Sequence, residues 1–394
     1  MKRFILPAML VFCLSVFAQE KAKVDTFEFT TVKALPITPV KNQSSSGTCW
    51  SFSGIGFIES ELLRMGKGEY DLSEMYVVYQ NYVDKLVKYV RMHGETTLAG
   101  GGSFADVLDC IRDYGIVPND VQTGLNYGDT IHRHGELDAL VKAYGGVIIK
   151  NPNKKLSSAW LNGYKGILDA YLGKAPESFQ YKGKTYTPKS FASELGINTD
   201  NYVSITSFTH HPFYTSFAVE IPDNWRWAES YNLPLEEMMQ VLDNALDKGY
   251  TVAWASDVSE KGFNRKGIAI VPDADAVETA GSDQERWVGV SKEELQNRIA
   301  NLSGPVPERK IDQQMRQEGF DNYETTDDHG MLIYGTAKDQ NGSKYYLVKN
   351  SWGPAGTYKG TWYASVPFVE YKTISIVVHK DAIPKDLQKK LGLK

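Results

Sequence analysis

The stretch 329–352, HGMLIYGTAKDQNGSKYYLVKNSW, constrains the fold more than any other part of this sequence. Two runs rich in apolar and aromatic residues flank Asn341-Gly342, a pair typical of the tight turn between two antiparallel strands. Two more strand-like runs, GTWYASV and TISIVVHK, follow it. The sequence therefore predicts that the C-terminal part of the chain forms a sheet.

The N-terminal part has helical periodicity instead. Apolar residues from Trp50 to Met65 recur on one helix face, and Ser73 is a suitable N-cap for a second helix. The run 100–115, GGGSFADVLDCIRDYG, predicts a glycine loop and a third helix that begins with a capping box of Ser103 and Asp106. Helices come first and the sheet last, which predicts an α+β fold.

The middle of the chain is a long segment, roughly within 120–310, with polar loops and fewer regular patterns. It contains a predicted helix near 155–173, a second one in PLEEMMQVLDNALDKGY and the buried strand TVAWASDV. We expect this segment to be an insertion within a single domain that covers residues 19–394.

The N-terminus, MKRFILPAMLVFCLSVFA, has the pattern of a signal peptide. Lys2 and Arg3 precede a short apolar run, and cleavage is expected after Ala18. A membrane anchor is the alternative, but the apolar run is short for a bilayer span. We therefore expect an exported protein, periplasmic or extracellular, with no membrane span in the mature chain.

Composition excludes some partners. Cleavage after residue 18 leaves 41 basic residues against 48 acidic ones, a net charge of −7. An acidic chain without a basic cluster is a poor candidate for nucleic-acid binding. We expect neither a cofactor nor a metal.

Two of the three cysteines, Cys49 and Cys110, remain after cleavage. Export permits a disulfide between them. However, Cys110 lies at helical spacing among apolar residues of the third helix, which favours a small buried side chain. Cys49 is then a free thiol and needs another explanation.

Cys49 lies where an extended arm turns into the first helix. The positive end of a helix dipole lowers the pKa of a thiol, and the thiolate is the nucleophilic form. Gly47 leaves the backbone open to a substrate, and the amide of Gln43 is a candidate donor to a developing oxyanion.

A nucleophilic cysteine needs a base, and His329 has the most distinctive context among the histidines. It follows Asp327-Asp328 and begins the first strand of the predicted hairpin, while Asn350 follows the second strand. The hairpin can bring the amide of Asn350 to the imidazole. Trp352 is positioned to cover that hydrogen bond from water.

In these motifs the sequence resembles the papain-like cysteine peptidases. The resemblance rests on QSSSGTCWSFS, DLSE, GGGSFAD, DDHGMLIYG and VKNSWG. It implies a two-lobed fold, with a helical left lobe, a β-barrel-like right lobe and a cleft between them. It also implies roles for the matching residues: nucleophile Cys49, base His329, orienting amide Asn350, oxyanion donor Gln43, and the glycine pair Gly101 and Gly102 that binds the substrate backbone.

The sequence departs from the papain pattern at two points. Ser46 replaces the first cysteine of the family motif, so the local disulfide of the family is absent. The interval from Cys49 to His329 is far longer than in papain-sized enzymes, and it resembles the bleomycin hydrolase and aminopeptidase C branch. That branch trims peptides from the N-terminus, often as hexamers, and its C-terminal carboxylate holds the substrate amine in the cleft.

The tail of this chain, KDLQKKLGLK, is short and basic. Three functions are therefore compared. The first is an exported cysteine aminopeptidase that acts on peptides, for which the resemblance implies a homo-oligomer. The second is a papain-like endopeptidase with an open cleft, and the third is a non-catalytic peptide-binding protein.

Overall fold

The structure is a computed structural model that describes residues 26–273 and 291–393. The predicted signal peptide and Lys394 lie outside the described residues. The described helices are α1 Cys49–Arg64, α2 Glu74–Arg91, α3 Phe104–Tyr114, α4 Gly135–Ile149, α5 Trp160–Leu172, α6 Pro188–Leu195, α7 Leu235–Asp247, α8 Lys292–Asn301, α9 Gln313–Asp321, α10 Val366–Lys372 and α11 Lys385–Lys390. The described strands are β1 Thr30–Ala34, β2 Phe179–Tyr181, β3 Lys184–Tyr186, β4 Tyr202–Thr206, β5 Ser216–Ala218, β6 Glu229–Asn232, β7 Val252–Ser256, β8 Phe263–Asn264, β9 Ile268–Ala269, β10 His329–Lys338, β11 Lys344–Lys349, β12 Thr361–Ser365 and β13 Thr373–His379.

The right lobe is one mixed sheet in the order β5-β6-β4-β13-β7-β10-β11-β12-β9-β8, and β1 pairs with β10. The β10–β11 hairpin predicted around Asn341-Gly342 is present, with Gly342 at a φ of 85°. Within the described residues the sheet stays open and does not close into a barrel. The middle segment accounts for part of this, because it extends one edge with β4, β5 and β6.

The left lobe is helical. Helix α1 is buried over most of its length and packs against α2 and α3 on one side and β10 on the other. The predicted N-terminal signals are confirmed, since Ser73 Oγ accepts from the Tyr76 N–H and Ser103 forms a capping box with Asp106. Helix α1 therefore lies at the boundary between the lobes, and its first residue is Cys49.

The middle segment thickens the helical lobe as well as the sheet. Helices α4 and α5 pack against α2, and their buried residues join the core of the left lobe. The sequence did not predict α4, which lies in the part of the middle segment that was expected to form polar loops. A Cβ at Gly145 would lie 2.4 Å from Leu98, so the glycine permits close packing inside a helix.

The C-terminal tail packs on one face of the sheet. Leu387 and Leu391 are buried in the apolar cluster that also contains residues of α7, together with Trp254 and Ile376. Side chains alternate between the two faces of a sheet, so the neighbouring Ala255 and Ser375 belong to the opposite face. No helix in the described ranges is both long and apolar enough to span a bilayer.

A buried ionic cluster joins the N-terminal arm to the left lobe. Lys41 Nζ lies 3.2 Å from Glu59 Oε1, 2.6 Å from Glu74 Oε1 and 2.6 Å from Asp71 Oδ1. Glu59 and Glu74 are almost completely buried. Burial raises the pKa of Glu74 to about 7, and Lys41 opposes that shift. Lys41 is the ammonium group in direct contact with both buried carboxylates, while Lys349 acts on them from farther away and reaches Glu59 through Thr38.

We expect Lys41→Met to lower the free energy of unfolding in urea by about 3–5 kcal/mol, because it leaves two buried carboxylates without their cation. Arg112→Met is the control, since Arg112 pairs with Asp109 and Asp113 at the surface and is 51% exposed. That change is expected to cost about 1 kcal/mol or less. Equal losses for the two variants would contradict a structural role for the buried cluster.

Candidate active site

Cys49 begins α1 and remains partly exposed. The backbone N–H of Gly330 donates to its sulfur from the start of β10. A Cβ at Gly330 would lie 2.6 Å from Ser53 Oγ and 3.3 Å from the Trp50 Cα, so helix and strand meet here in close contact. The thiol is thus held beside the residue that follows His329.

His329 and Asn350 form the hydrogen bond that the hairpin predicted. His329 Nε2 lies 2.7 Å from Asn350 Oδ1, and both residues are buried. The same oxygen accepts from the Ser351 N–H at 2.7 Å, which fixes the amide orientation. Because an amide oxygen only accepts, Nε2 carries the proton and Nδ1 is left as an acceptor.

Trp352 covers the imidazole. The two ring centroids are 4.9 Å apart at an angle of 34°, and the indole is 37% exposed. Phe263 and Trp362 contact the indole edge-on and support it. The outer face of the indole meets water while its inner face shields His329.

Gln43 is tied to the residue next to Asn350. Its Oε1 accepts from Ser351 Oγ at 2.6 Å, and its backbone N–H donates to the Ser351 carbonyl. Its Nε2 donates to the Ser46 carbonyl at 2.8 Å, just before α1. The amide therefore links the start of α1 to the end of β11, with one Nε2 hydrogen committed to Ser46.

Ser46 and Cys110, the two other residues that bear on a disulfide, are consistent with a free thiol at Cys49. Ser46 Oγ lies 2.7 Å from the Gln43 carbonyl and 2.6 Å from Thr48 Oγ1, so hydrogen bonds occupy the place of the missing disulfide. Cys110 is fully buried in the left-lobe core, and neither it nor Cys49 is disulfide-bonded among the described residues.

A cavity of about 40 Å³ connects the thiol and the imidazole. Among the described residues, its lining includes three carboxylates and no lysine or arginine. The lining residues are Cys49, Trp50, Gly102, Ser103, Phe104, Ile221, Asp223, Ala255, Asp327, Asp328, His329, Gly330 and Ser375. No residue of the C-terminal tail in the described range is among them.

The glycine pair lies beside this cavity, but another side chain already covers it. A Cβ at Gly101 would lie 2.1 Å from Asp223 Oδ2, and the Gly102 N–H donates to the Asp223 carboxylate. Asp223 belongs to the middle segment, between β5 and β6. The sequence analysis did not single it out, since IPDNWRW has no motif that marks the residue as part of a site.

The carboxylates change the acidity of the site. Burial, with the charges of Asp327 and Asp223, raises the pKa of Cys49 to about 12. Burial and the charges of Asp223 and Asp328 raise the pKa of Asp327 to about 8. Burial lowers the pKa of His329 to about 4, although its bond to Asn350 opposes that shift. In this state the thiol and the imidazole are both neutral.

One group in the described residues has the side chains to hold a metal ion. His210, His211 and Glu220 place donor atoms within 4.8 Å of one another. Both imidazoles already contact the carboxylate, at 3.0 and 2.9 Å. None of the three lines the cavity at Cys49.

Two family models and several known proteins match this chain. Residues 23–92 match the model of the papain family cysteine protease, and residues 308–393 match the Peptidase C1-like family. Aminopeptidase C of Lactococcus lactis subsp. lactis is 22% identical over 88% of this chain and 82% of its own length. The mitochondrial cysteine proteinase 1 of Saccharomyces cerevisiae is also 22% identical, over 93% of this chain and 80% of its own.

The crystal structure of PepW from Lactobacillus rhamnosis HN001 has the same fold. It superimposes with a TM-score of 0.68 at 21% identity, over 92% of this chain and 84% of that one. The chain therefore has a papain-like fold, and its relatives show a cysteine-type peptidase that resembles the bleomycin hydrolase and aminopeptidase C branch.

Proposed function

We propose that the chain is an aminopeptidase in which Cys49, His329 and Asn350 act as a catalytic triad on peptide substrates. The hydrogen bond from His329 Nε2 to Asn350 Oδ1 carries this proposal, because it leaves Nδ1 as the acceptor for the thiol proton. The Gly330 N–H on the sulfur keeps Cys49 beside that imidazole. The aminopeptidases among the relatives support cleavage from the N-terminus of the substrate.

The chemistry begins with proton transfer inside the site. The Cys49 thiol passes its proton to His329 Nδ1, and the sulfur attacks the substrate carbonyl carbon. The imidazolium then gives the proton to the leaving amine, and water releases the acyl group from the sulfur with His329 as the base. Asn350 holds the ring in one tautomer through both steps.

The low pKa of His329 and the high pKa of Cys49 are compatible with proton transfer as the first step. Each charge alone is disfavoured by burial, but proton transfer creates both at once and the two charges stabilise each other. The positive end of α1 adds to the stabilisation of the thiolate. The second hydrogen of Gln43 Nε2 and the backbone at Cys49 are the donors we assign to the oxyanion.

Export and assembly are further parts of the proposal. We infer that residues 1–18 direct the protein out of the cytoplasm, and N-terminal sequencing of the mature protein tests this. The homo-oligomer, a hexamer by family resemblance, is tested by light scattering of the purified chain.

Cys49→Ala is expected to abolish hydrolysis of an aminoacyl reporter with a free amine, because the change removes the nucleophile. Activity is measured on that reporter and on its N-acetyl twin, and only the free-amine form is expected to be cleaved well by the unchanged protein. Iodoacetamide is expected to label Cys49 before the buried Cys110. Cys110→Ala is the control and should keep activity, whereas loss of activity with labelling of Cys110 alone would refute the assignment.

His329→Ala and Asn350→Ala are expected to have unequal effects on kcat. Loss of the imidazole removes the acid and base, whose contribution is typically about 10²–10⁴-fold. Loss of the amide only loosens the ring, so Asn350→Ala should retain clearly more activity. If folded Asn350→Ala proved the weaker enzyme, the two roles would be wrongly assigned.

Asp327→Asn is expected to lower the pKa of the Cys49 thiol by about 1 unit, because it removes a nearby negative charge. The pKa of Asp327 is itself about 8. Below that pH the carboxyl is largely neutral, so the variant and the unchanged protein should be alkylated alike. Above it, the variant should react faster.

The pH profile of iodoacetamide labelling of Cys49 measures this difference, with Glu220→Gln as the control outside the cavity. A variant profile identical to the unchanged one on the alkaline side would show that Asp327 does not act on the thiol.

A further inference from the structure

The cleft near Cys49 has an end that is closed by a side chain of the middle segment. We propose that Asp223, together with Asp327, binds the free α-ammonium group of the substrate and so limits cleavage to the N-terminal residue. This inference rests on the proposed aminopeptidase function and names the group that selects the substrate.

The first support is the position of Asp223 on the glycine pair. By family resemblance, the backbone of Gly101 and Gly102 binds the substrate chain ahead of the cleaved bond. Here the Gly102 N–H donates to the Asp223 carboxylate, and the carboxylate fills the space beside Gly101. An oxygen of Asp223 thus takes the hydrogen bond that a substrate carbonyl would need, and a longer chain has no place there.

The second support is the charge of the cavity. Asp223, Asp327 and Asp328 line it, and no lysine or arginine does so within the described residues. Asp327 is mostly buried and has neither a hydrogen bond nor an ion pair with any described residue. Burial and the charges of Asp223 and Asp328 raise the pKa of Asp327. Burial also raises the pKa of Asp223, although the buried ammonium group of Lys85, which lies behind the glycine loop and does not line the cavity, opposes that shift. Asp327 is largely neutral below about pH 8 in the free site. A cation bound beside it would favour the ionised form of both carboxyls, and a peptide amine is such a cation.

The third support is that Asp223 is held in place. Trp225 Nε1 donates to Asp106 Oδ2 at 3.2 Å, and Arg226 Nε donates to Asp106 Oδ1 at 2.6 Å. Arg226 Nη2 also donates to Asp84 Oδ2 at 2.9 Å. Asp106 in turn accepts from the Ser103 N–H, directly after Gly102. The loop that carries Asp223 and the loop of the glycine pair therefore share one anchor.

The C-terminal tail lies elsewhere. Leu387 and Leu391 are buried with α7, on the sheet face opposite Ala255 and Ser375 of the cavity. Lys390 Nζ contacts Glu237 of α7 at 2.6 Å, and the Leu393 N–H donates to the Gln388 carbonyl. The described tail therefore does not thread into the cleft, which favours an internal carboxylate as the group that binds the amine.

Asp223→Asn tests the proposal, because it keeps the shape of the side chain and removes its charge. We expect kcat/KM for the free-amine aminoacyl reporter to fall by about 10- to 100-fold, as for a lost hydrogen bond to a charged group. Cleavage of the N-acetyl twin should stay equal or rise. Glu220→Gln is the matched control, since it removes a charge from the same segment outside the cavity.

Two further measurements distinguish loss of the amine anchor from loss of folding and from a role of the C-terminal tail. Iodoacetamide labelling of Cys49 should remain at least as fast in Asp223→Asn, which shows that the site is still folded. Deletion of residues 392–394 should leave the preference for a free amine unchanged. If that deletion removes the preference, or if Asp223→Asn cleaves the free-amine reporter as well as the unchanged protein, Asp223 is not the anchor.

If the unchanged protein cleaves neither reporter, the proposed function fails. If it cleaves both equally well, it has no preference for a free amine and the amine anchor is refuted.

Discussion

The close contact between α1 and β10 at Gly330 is the constraint on which the rest of the site depends. A side chain at this position would collide with Ser53, so the strand approaches the helix only because residue 330 is glycine. That approach gives the Cys49 sulfur its hydrogen bond from the strand and brings the two lobes together beside His329. The cleft and the proximity of the thiol to the imidazole both follow from this contact, since the lobes can separate only on the side away from it.

The buried charges near this contact set the chemistry. A thiol surrounded by carboxylates resists ionisation, and a buried imidazole resists protonation, so each group stays neutral until a proton passes between them. Trp352 and its aromatic neighbours keep water from the His329–Asn350 bond and preserve the low polarity that this arrangement needs. The carboxylates disfavour formation of the thiolate. A positively charged group of the substrate would offset this effect, and such a substrate is the simplest explanation for carboxylates at this position.

The sequence predicted the parts of the site that local rules control. Cys49 at a helix start, the capping box at Ser103 and the Asn341-Gly342 turn all depend on a few neighbouring residues, and the structure has each of them. The hairpin then determined the distance between His329 and Asn350. In contrast, Asp223 lies at the glycine pair because Trp225 and Arg226 of its loop contact Asp106 and Asp84, and no local pattern reveals such tertiary contacts. The open sheet has the same origin, because the middle segment pairs with β13 at long range.

Under the proposal made above, the middle segment supplies the side chain that restricts the cleft. The segment joins both lobes: α4 and α5 enlarge the helical core, while β4, β5 and β6 extend the sheet. The loop between β5 and β6 therefore crosses from sheet to helical lobe, and Arg226 secures it there through Asp106 and Asp84. A carboxylate on such a doubly supported loop loses little conformational freedom when a substrate binds. A terminal carboxylate on a free tail would have to be ordered first, whereas Leu387 of α11 and Leu391 after it are buried in the core of the sheet.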